Sequence, residues 1–156
     1  MTLGKLSLII SIAGAIPYCL QIIRADVRPE RMTWFIWSII LVLATWGYHA
    51  LGSRDSMWFL VGDLAATSAI FFLSLWRGVG GYRKLDLICL GLAAVGLLIW
   101  QISSNPLFIM FGALLADGIA LIPTVLKALR DPTSESITTF AATTVAAILG
   151  ILAVGQ

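Results

Sequence analysis

Six apolar stretches, each near the length that crosses a bilayer, take up most of this chain, and only short polar connections separate them. A bilayer core requires about 20 mostly apolar residues per helix. The stretches run from about Leu3 to Ile23, Thr33 to Leu51, Met57 to Trp76, Leu85 to Ile102, Pro106 to Leu129 and Ile137 to Val154. Between them lie ADVRPERM, GSRDS, RGVGGYRK, SSN and RDPTSES, none long enough to hold a soluble domain. A water-soluble fold would need polar faces that six helices of this kind do not offer. Of the 156 residues, 60% are apolar and 12% charged, and mean hydropathy is +0.98. Soluble domains carry roughly 25% charged residues. The predicted fold class is therefore all-α: a polytopic membrane helix bundle of about six transmembrane helices, forming a single domain over residues 1–156.

The first stretch holds Pro17, Tyr18 and Gln21 and lacks a small-residue cleavage pattern, so it reads as a retained helix rather than a cleaved leader. Cys19 and Cys89 both sit in apolar runs and read as packing residues, not as a disulfide or a metal site. Orientation follows from the basic residues, which are retained on the cytoplasmic side. The first, third and fifth connections and the helix ends beside them hold Arg24, Arg28, Arg31, Arg77, Arg83, Lys84, Lys127 and Arg130, eight of the ten Lys and Arg. Only Lys5 and Arg54 lie on the other side. The expected topology puts both termini on the non-cytoplasmic side.

The chain repeats itself. AIPYCLQIIRADVRPERMTWFIW at the end of the first helix aligns with LIPTVLKALRDPTSESITTF at the end of the fifth. Pro17 meets Pro123 and Arg24 meets Arg130; after a short gap Pro29 meets Pro132, Thr33 meets Ser136 and Trp37 meets Phe140. The first and fifth helices run the same way under this topology, so the repeat is parallel, a known transporter construction about an axis along the membrane normal. Repeat 1 covers about 3–76, a linker helix about 85–102, and repeat 2 about 106–154.

This pattern resembles the PQ-loop/SWEET superfamily, in which triple-helix bundles carry a proline in their first helix. RPERMTWFIW, LDLIC, IWQISSNP and ADGIALIPTVLKALRDPTSES are also similar to a group of bacterial multi-pass membrane proteins. The resemblance implies a carrier for a small polar solute, working by rocking of two bundles in the bacterial inner membrane. The family's Pro-Gln dipeptide stands here as Pro17-Tyr18 and Pro123-Thr124, and six stretches are found where a full SWEET has seven helices. Those departures support the alternative: a non-transporting membrane protein that binds lipid or a partner, or a sensor subunit.

Several residues are candidates for solute binding or gating. Helical prolines free the carbonyl four residues back, here those of Ala13 and Ile119, so Pro17 and Pro123 are either hinges or static kinks. Asp117 near the centre of the fifth helix and Asp63 in the third carry charge that costs about 2.5–3.5 kcal/mol at the bilayer centre. Each is either a proton-titrating or solute-binding carboxylate, or an acid that fixes the bundle. Asp117 shares a face with Ala113, Ala120 and Thr124. Asp86 reads as a helix N-terminal residue favoured by the macrodipole. Ser7, Ser11, Gly14, Tyr18 and Gln21 form one polar stripe on the first helix, an inward interface. Trp34, Tyr48, His49, Trp58 and Trp76 fit an aromatic belt. Trp46 could instead wall a solute site, since flat π-faces stack on sugars and bases, and Trp37 is a further solute-binding or gating candidate. Trp100 and Asn105 flank the WQISSNP turn.

Enzyme chemistry finds no support. The single histidine, His49, has no Ser or Cys partner at a nucleophile spacing. No His, Cys and carboxylate cluster has metal-ligand spacing, and GVGGY lies in a basic connection rather than between strand and helix. The expectation is a protein without cofactor or metal that is not an enzyme. Its basic loops face anionic lipid headgroups, not nucleic acid. Its partners are the bilayer, a small polar solute and, through the small-residue face Thr139, Ala142, Thr143, Ala146 and Gly150, a second copy in a homo-oligomer.

The charge bias sets a labelling outcome. Cysteines introduced at Ser53 or Ser104 react with an impermeant reagent on whole cells, and one at Thr133 reacts only after the membrane is opened. Labelling of Thr133 from outside overturns the orientation.

Overall fold

The computed structural model describes residues 2–50, 55–103 and 106–154, and all their side chains except those of residues 47, 48, 50, 100 and 106–110. Six α-helices account for nearly all of them: α1 (Leu3–Arg24), α2 (Arg31–Ala50), α3 (Met57–Arg77), α4 (Lys84–Ile102), α5 (Pro106–Arg130) and α6 (Ile137–Leu152). A short 3-10 turn, Pro132–Ser134, leads into α6. Leu3–Arg24, Met57–Arg77 and Phe111–Arg130 are long and apolar enough to cross a membrane, and Arg31–Trp46 and Ile137–Leu152 are shorter apolar helices.

The radial distribution of side chains is that of a membrane bundle. Ile16, Phe72, Leu114 and Ile151 are all more than half exposed, whereas Ser7, Ser11, Thr33, Thr67, Ser74 and Thr139 are buried. A surface this apolar suits hydrocarbon, and hydroxyls and small residues fill the contacts between helices. The polar stripe of α1 follows this rule: Ser7, Ser11 and Tyr18 are buried, and Gly14 and Gln21 are half-buried.

Packing order is not sequence order. α1 packs on α3 and α6, while α2 packs on α3, α5 and α4, and α4 lies along α5. α3 therefore stands between α1 and α2. The closest crossings are at glycines. A Cβ on Gly62 of α3 would lie 2.7 Å from the Cα of Leu8, and one on Gly96 of α4 would lie 2.7 Å from the carbonyl oxygen of Gly112 in α5. The small-residue face of α6, expected to meet a second copy, packs largely inside the chain. Thr139, Ala146 and Gly150 are buried, a Cβ on Gly14 would meet the Cβ of Ala142, and one on Gly150 would meet Phe59.

α1 ends where Ala25 turns left-handed (φ 65°), with the Asp26 N–H reaching back to the Gln21 carbonyl at 2.9 Å. This 6→1 bond closes the last turn and reverses the chain. Arg31 lies in the first turn of α2, and its guanidinium anchors the far end of α3: Nε donates to the Ser74 carbonyl at 2.9 Å and Nη1 to that of Gly80 at 3.2 Å. Trp34, expected in an interfacial belt, is instead 4% exposed and central to a core with Tyr18, Ile22 and Ile70. Trp58 and Trp76 face outward, the latter with the Arg77 guanidinium 4.2 Å above its ring.

The glycine contacts predict a contrast. Gly62→Ala forces α1 and α3 apart and costs about 1–3 kcal/mol. Gly91 has nothing within 4 Å of the place a Cβ would take, so it accepts Ala with a gain of roughly 0.5–1 kcal/mol. Thermal unfolding in detergent reads both, and equal effects would remove the close-approach explanation.

Candidate functional site

A cavity of about 220 Å³ opens inside the bundle among α2, α3, α5 and α6. It holds several waters or a small solute, since one water needs only about 10–15 Å³ on this measure. Two carboxyls reach it from different helices, Asp63 of α3 and Asp117 of α5. Hydroxyls of Thr67, Thr139 and Thr143 and the rings of Trp34, Trp37 and Phe140 complete its polar and aromatic wall. Acceptors, hydroxyl groups and flat apolar faces in one enclosure suit a small solute with its own hydroxyl or ammonium groups.

The aromatic wall is rigidly interlocked. Trp34 and Trp37 meet edge-on with centroids 5.2 Å apart, and Phe140 lies 6.2 Å from Trp34 and 6.4 Å from Trp37. The Trp37 indole N–H also donates to the Asp117 backbone carbonyl at 3.4 Å. Beneath this wall, toward the basic connections, the Tyr18 ring meets Trp34 at a tilt of 53° with centroids 5.6 Å apart, and its hydroxyl donates a hydrogen bond to Glu135. Glu135 also pairs with Lys127 at 2.5 Å. Lys127 in turn donates to the carbonyls of Arg28 and Ser134. One carboxylate thus ties α1, α5, the turn before α6 and the α1–α2 connection together on the basic side of the cavity. Nothing in the apolar periodicity marked this clasp: Glu135 sits in a turn, and Tyr18 is distant from it in sequence.

Three hydroxyl bonds cross the bundle beside the prolines. Thr33 of α2 donates to the Ala120 carbonyl of α5 at 2.6 Å, and Thr124 donates to Thr33 at 2.9 Å. Thr139 of α6 donates to the Gly14 carbonyl of α1 at 2.9 Å. The two carbonyl acceptors, Ala120 and Gly14, each precede a helical proline by about one turn, one residue on from the carbonyls that Pro123 and Pro17 are expected to free.

The other sequence candidates scatter. Pro17 is exposed on the outside of α1, while Pro123 is buried and lines a second cavity near the basic connections. The two prolines are equivalent in sequence but not in surroundings. Gln21 keeps a buried oxygen without a hydrogen-bond partner. Trp46 is 75% exposed beside His49 and Met57 on an outer groove, away from the carboxyls. Asn105 and the side chain of Trp100 lie outside the described residues. Asp86, expected at a helix start, does accept the backbone N–H groups of Gly81 at 2.7 Å and Arg83 at 3.1 Å.

The clasp predicts unequal costs. Lys127→Met leaves the buried Glu135 charge unpaired and destabilises by about 3–5 kcal/mol. Tyr18→Phe removes one bond to a charged acceptor and costs about 1.5–3 kcal/mol. Unfolding of the two single variants and the double variant in detergent tests this; strict additivity would mean that they do not act through one carboxylate. No protein family, curated protein or solved structure matches this chain.

Proposed function

We propose that this protein is a small SWEET-like or PQ-loop-like membrane carrier for a small polar solute, and not an enzyme. In this reading six helices cross the bacterial inner membrane, both termini lie outside, and the cavity between the repeats holds the solute. The observation that carries the proposal is the convergence of Asp63 and Asp117, from different helices, on one aromatic-walled cavity. Carboxylates in a bilayer interior are expensive and ordinarily face a partner or a solute pathway.

The packing supports a two-fold arrangement. Exchanging the repeats turns the α1–α6 pair into the α5–α2 pair, and both pairs pack. The carbonyls that accept the hydroxyl bonds, Ala120 and Gly14, are equivalent in the two repeats, although the donors are not: Thr139 lies three residues past Ser136, the counterpart of Thr33. Rocking of one half against the other would work at these contacts, about the cavity. In this reading the Tyr18–Glu135–Lys127 clasp would close the carrier on the side of the basic connections, and solute would enter from the other.

Reconstituted into liposomes and offered a panel of labelled hexoses, polyols and small amines, the protein is expected to move at least one class faster than empty vesicles. Asp117→Asn keeps the fold and abolishes the pH dependence of that uptake, leaving solute exchange. Trp37→Ala, at the cavity wall, reduces uptake about tenfold or more. An unchanged pH profile in Asp117→Asn removes the titrating role of that acid. A folded protein that moves none of the panel favours the rival reading, a lipid- or partner-binding subunit.

A further inference from the structure

The second cavity, about 320 Å³, lies by the basic connections between the starts of α2 and α4 and the end of α5. On its wall are two acids that the solute cavity does not use, Glu30, 2% exposed, and Asp86, 1% exposed. Buried carboxyls without a cation are uncommon, because each charge loses its hydration. Among the described residues neither is in an ion pair. Asp86 is satisfied by the Gly81 and Arg83 amides, but Glu30 Oε2 is buried with no hydrogen-bond donor.

Glu30 sits where two connections are joined. The Val79 N–H donates to the Pro29 carbonyl at 2.9 Å and the Arg31 N–H to the Val79 carbonyl at 2.9 Å, a single parallel bridge between residues 30 and 79. The carboxyl of Glu30 occupies the space that a side chain at Gly80 (φ 74°) would need. Two of the cations near it are engaged elsewhere. Arg31 is turned to the Ser74 and Gly80 carbonyls, and Lys127 is held by Glu135. Arg83, Arg130 and Asp131 stand on the cavity wall.

We propose that Glu30 holds a bound proton beside Asp86, and that this proton holds the α1–α2 connection against the α3–α4 connection. A proton on Glu30 supplies the missing donor and removes one of two adjacent buried charges; its loss sets two carboxylates against each other and loosens the bridge at Val79. Burial first, and then the charge and hydrogen bond of Asp86, push Glu30 up from the usual 4.5 to about 7, while Arg83 and Lys127 pull weakly the other way. The site is independent of the transport reading and places a proton switch at the basic end of the bundle, apart from Asp63 and Asp117.

Hydrogen exchange on the full chain in lipid nanodiscs tests it. The carboxyl is protonated more readily in the closed bridge than in the open one, so opening is rare at low pH and grows as pH rises. Corrected for intrinsic rates, exchange in residues 26–31 and 78–83 should rise by up to about tenfold per pH unit between about pH 5 and about pH 7, then level off. Glu30→Gln, neutral at every pH, should keep these amides protected throughout. A flat wild-type profile, or the same rise in Glu30→Gln, overturns the proposal. The chain has two glutamates, Glu30 and Glu135, so carbon-13 labelling of glutamate gives a readout that needs no variant at position 30. One labelled carboxyl should titrate near neutral pH and persist in Glu135→Gln. Two carboxylates ionised across the whole range, or a titration lost in Glu135→Gln, would refute it.

Discussion

Hydrocarbon offers a polar group no hydrogen bond, so a hydroxyl inside this bundle depends on a carbonyl of its own helix, as at Ser7, or of a neighbouring one. The hydroxyl of Thr33 on the α5 carbonyl of Ala120, and that of Thr139 on the α1 carbonyl of Gly14, meet this need where prolines interrupt the helical ladders. Both bonds join helices distant in the chain, and so fix which helices become neighbours. An apolar side chain could pack against any of several greasy faces. A hydroxyl that must reach a carbonyl cannot, and that is why hydrogen bonds set register here while small residues merely permit approach.

Ionic contacts concentrate at one end. Glu135, Lys127, Tyr18 and the Arg28 carbonyl form one connected group, and Arg31 binds the end of α3 through two carbonyls. A partly buried pair of this kind gives little net stability compared with apolar packing, but breaking it is costly. Its role is to specify one arrangement of the connections. The Glu30–Asp86 pair lies on the other flank of the same end, where protonation rather than a cation relieves the charge. The basic end is therefore fastened by contacts that depend on ionisation, and the middle by contacts that do not.

That division suits a protein whose middle holds a cavity. The aromatic wall of Trp34, Trp37 and Phe140 joins the two regions, since Trp34 touches both the cavity and Tyr18 of the clasp. A change in the clasp would therefore be felt at the cavity wall through a single ring contact. In the carrier reading this is how occupancy and closure on the basic side would communicate.

Much of the fold was legible from the chain. Apolar runs gave the helices to within a few residues, because length and hydropathy are local properties. The stripe of Ser7, Ser11, Gly14, Tyr18 and Gln21 gave the inward face of α1, since a 3.6-residue period projects directly onto one side. Asp63 and Asp117 stood out as acids in apolar surroundings, and Trp37 was a candidate for solute binding or gating, while Trp46 was the one read as a wall. Tertiary structure alone decided which of these meet. Trp46 and Trp37 lie on the same helix and look alike in sequence, yet rotation of α2 turns one outward and the other to the cavity. Trp34 resembles a belt residue until the packing of α1 and α6 buries it. The small-residue face of α6 is equally suited to a second chain and to α1, and only the path of the chain through the bundle selects α1. Glu30 and Glu135 could not be read at all, because each lies in a connection, where no period applies, and depends on residues brought to it by helices far along the chain.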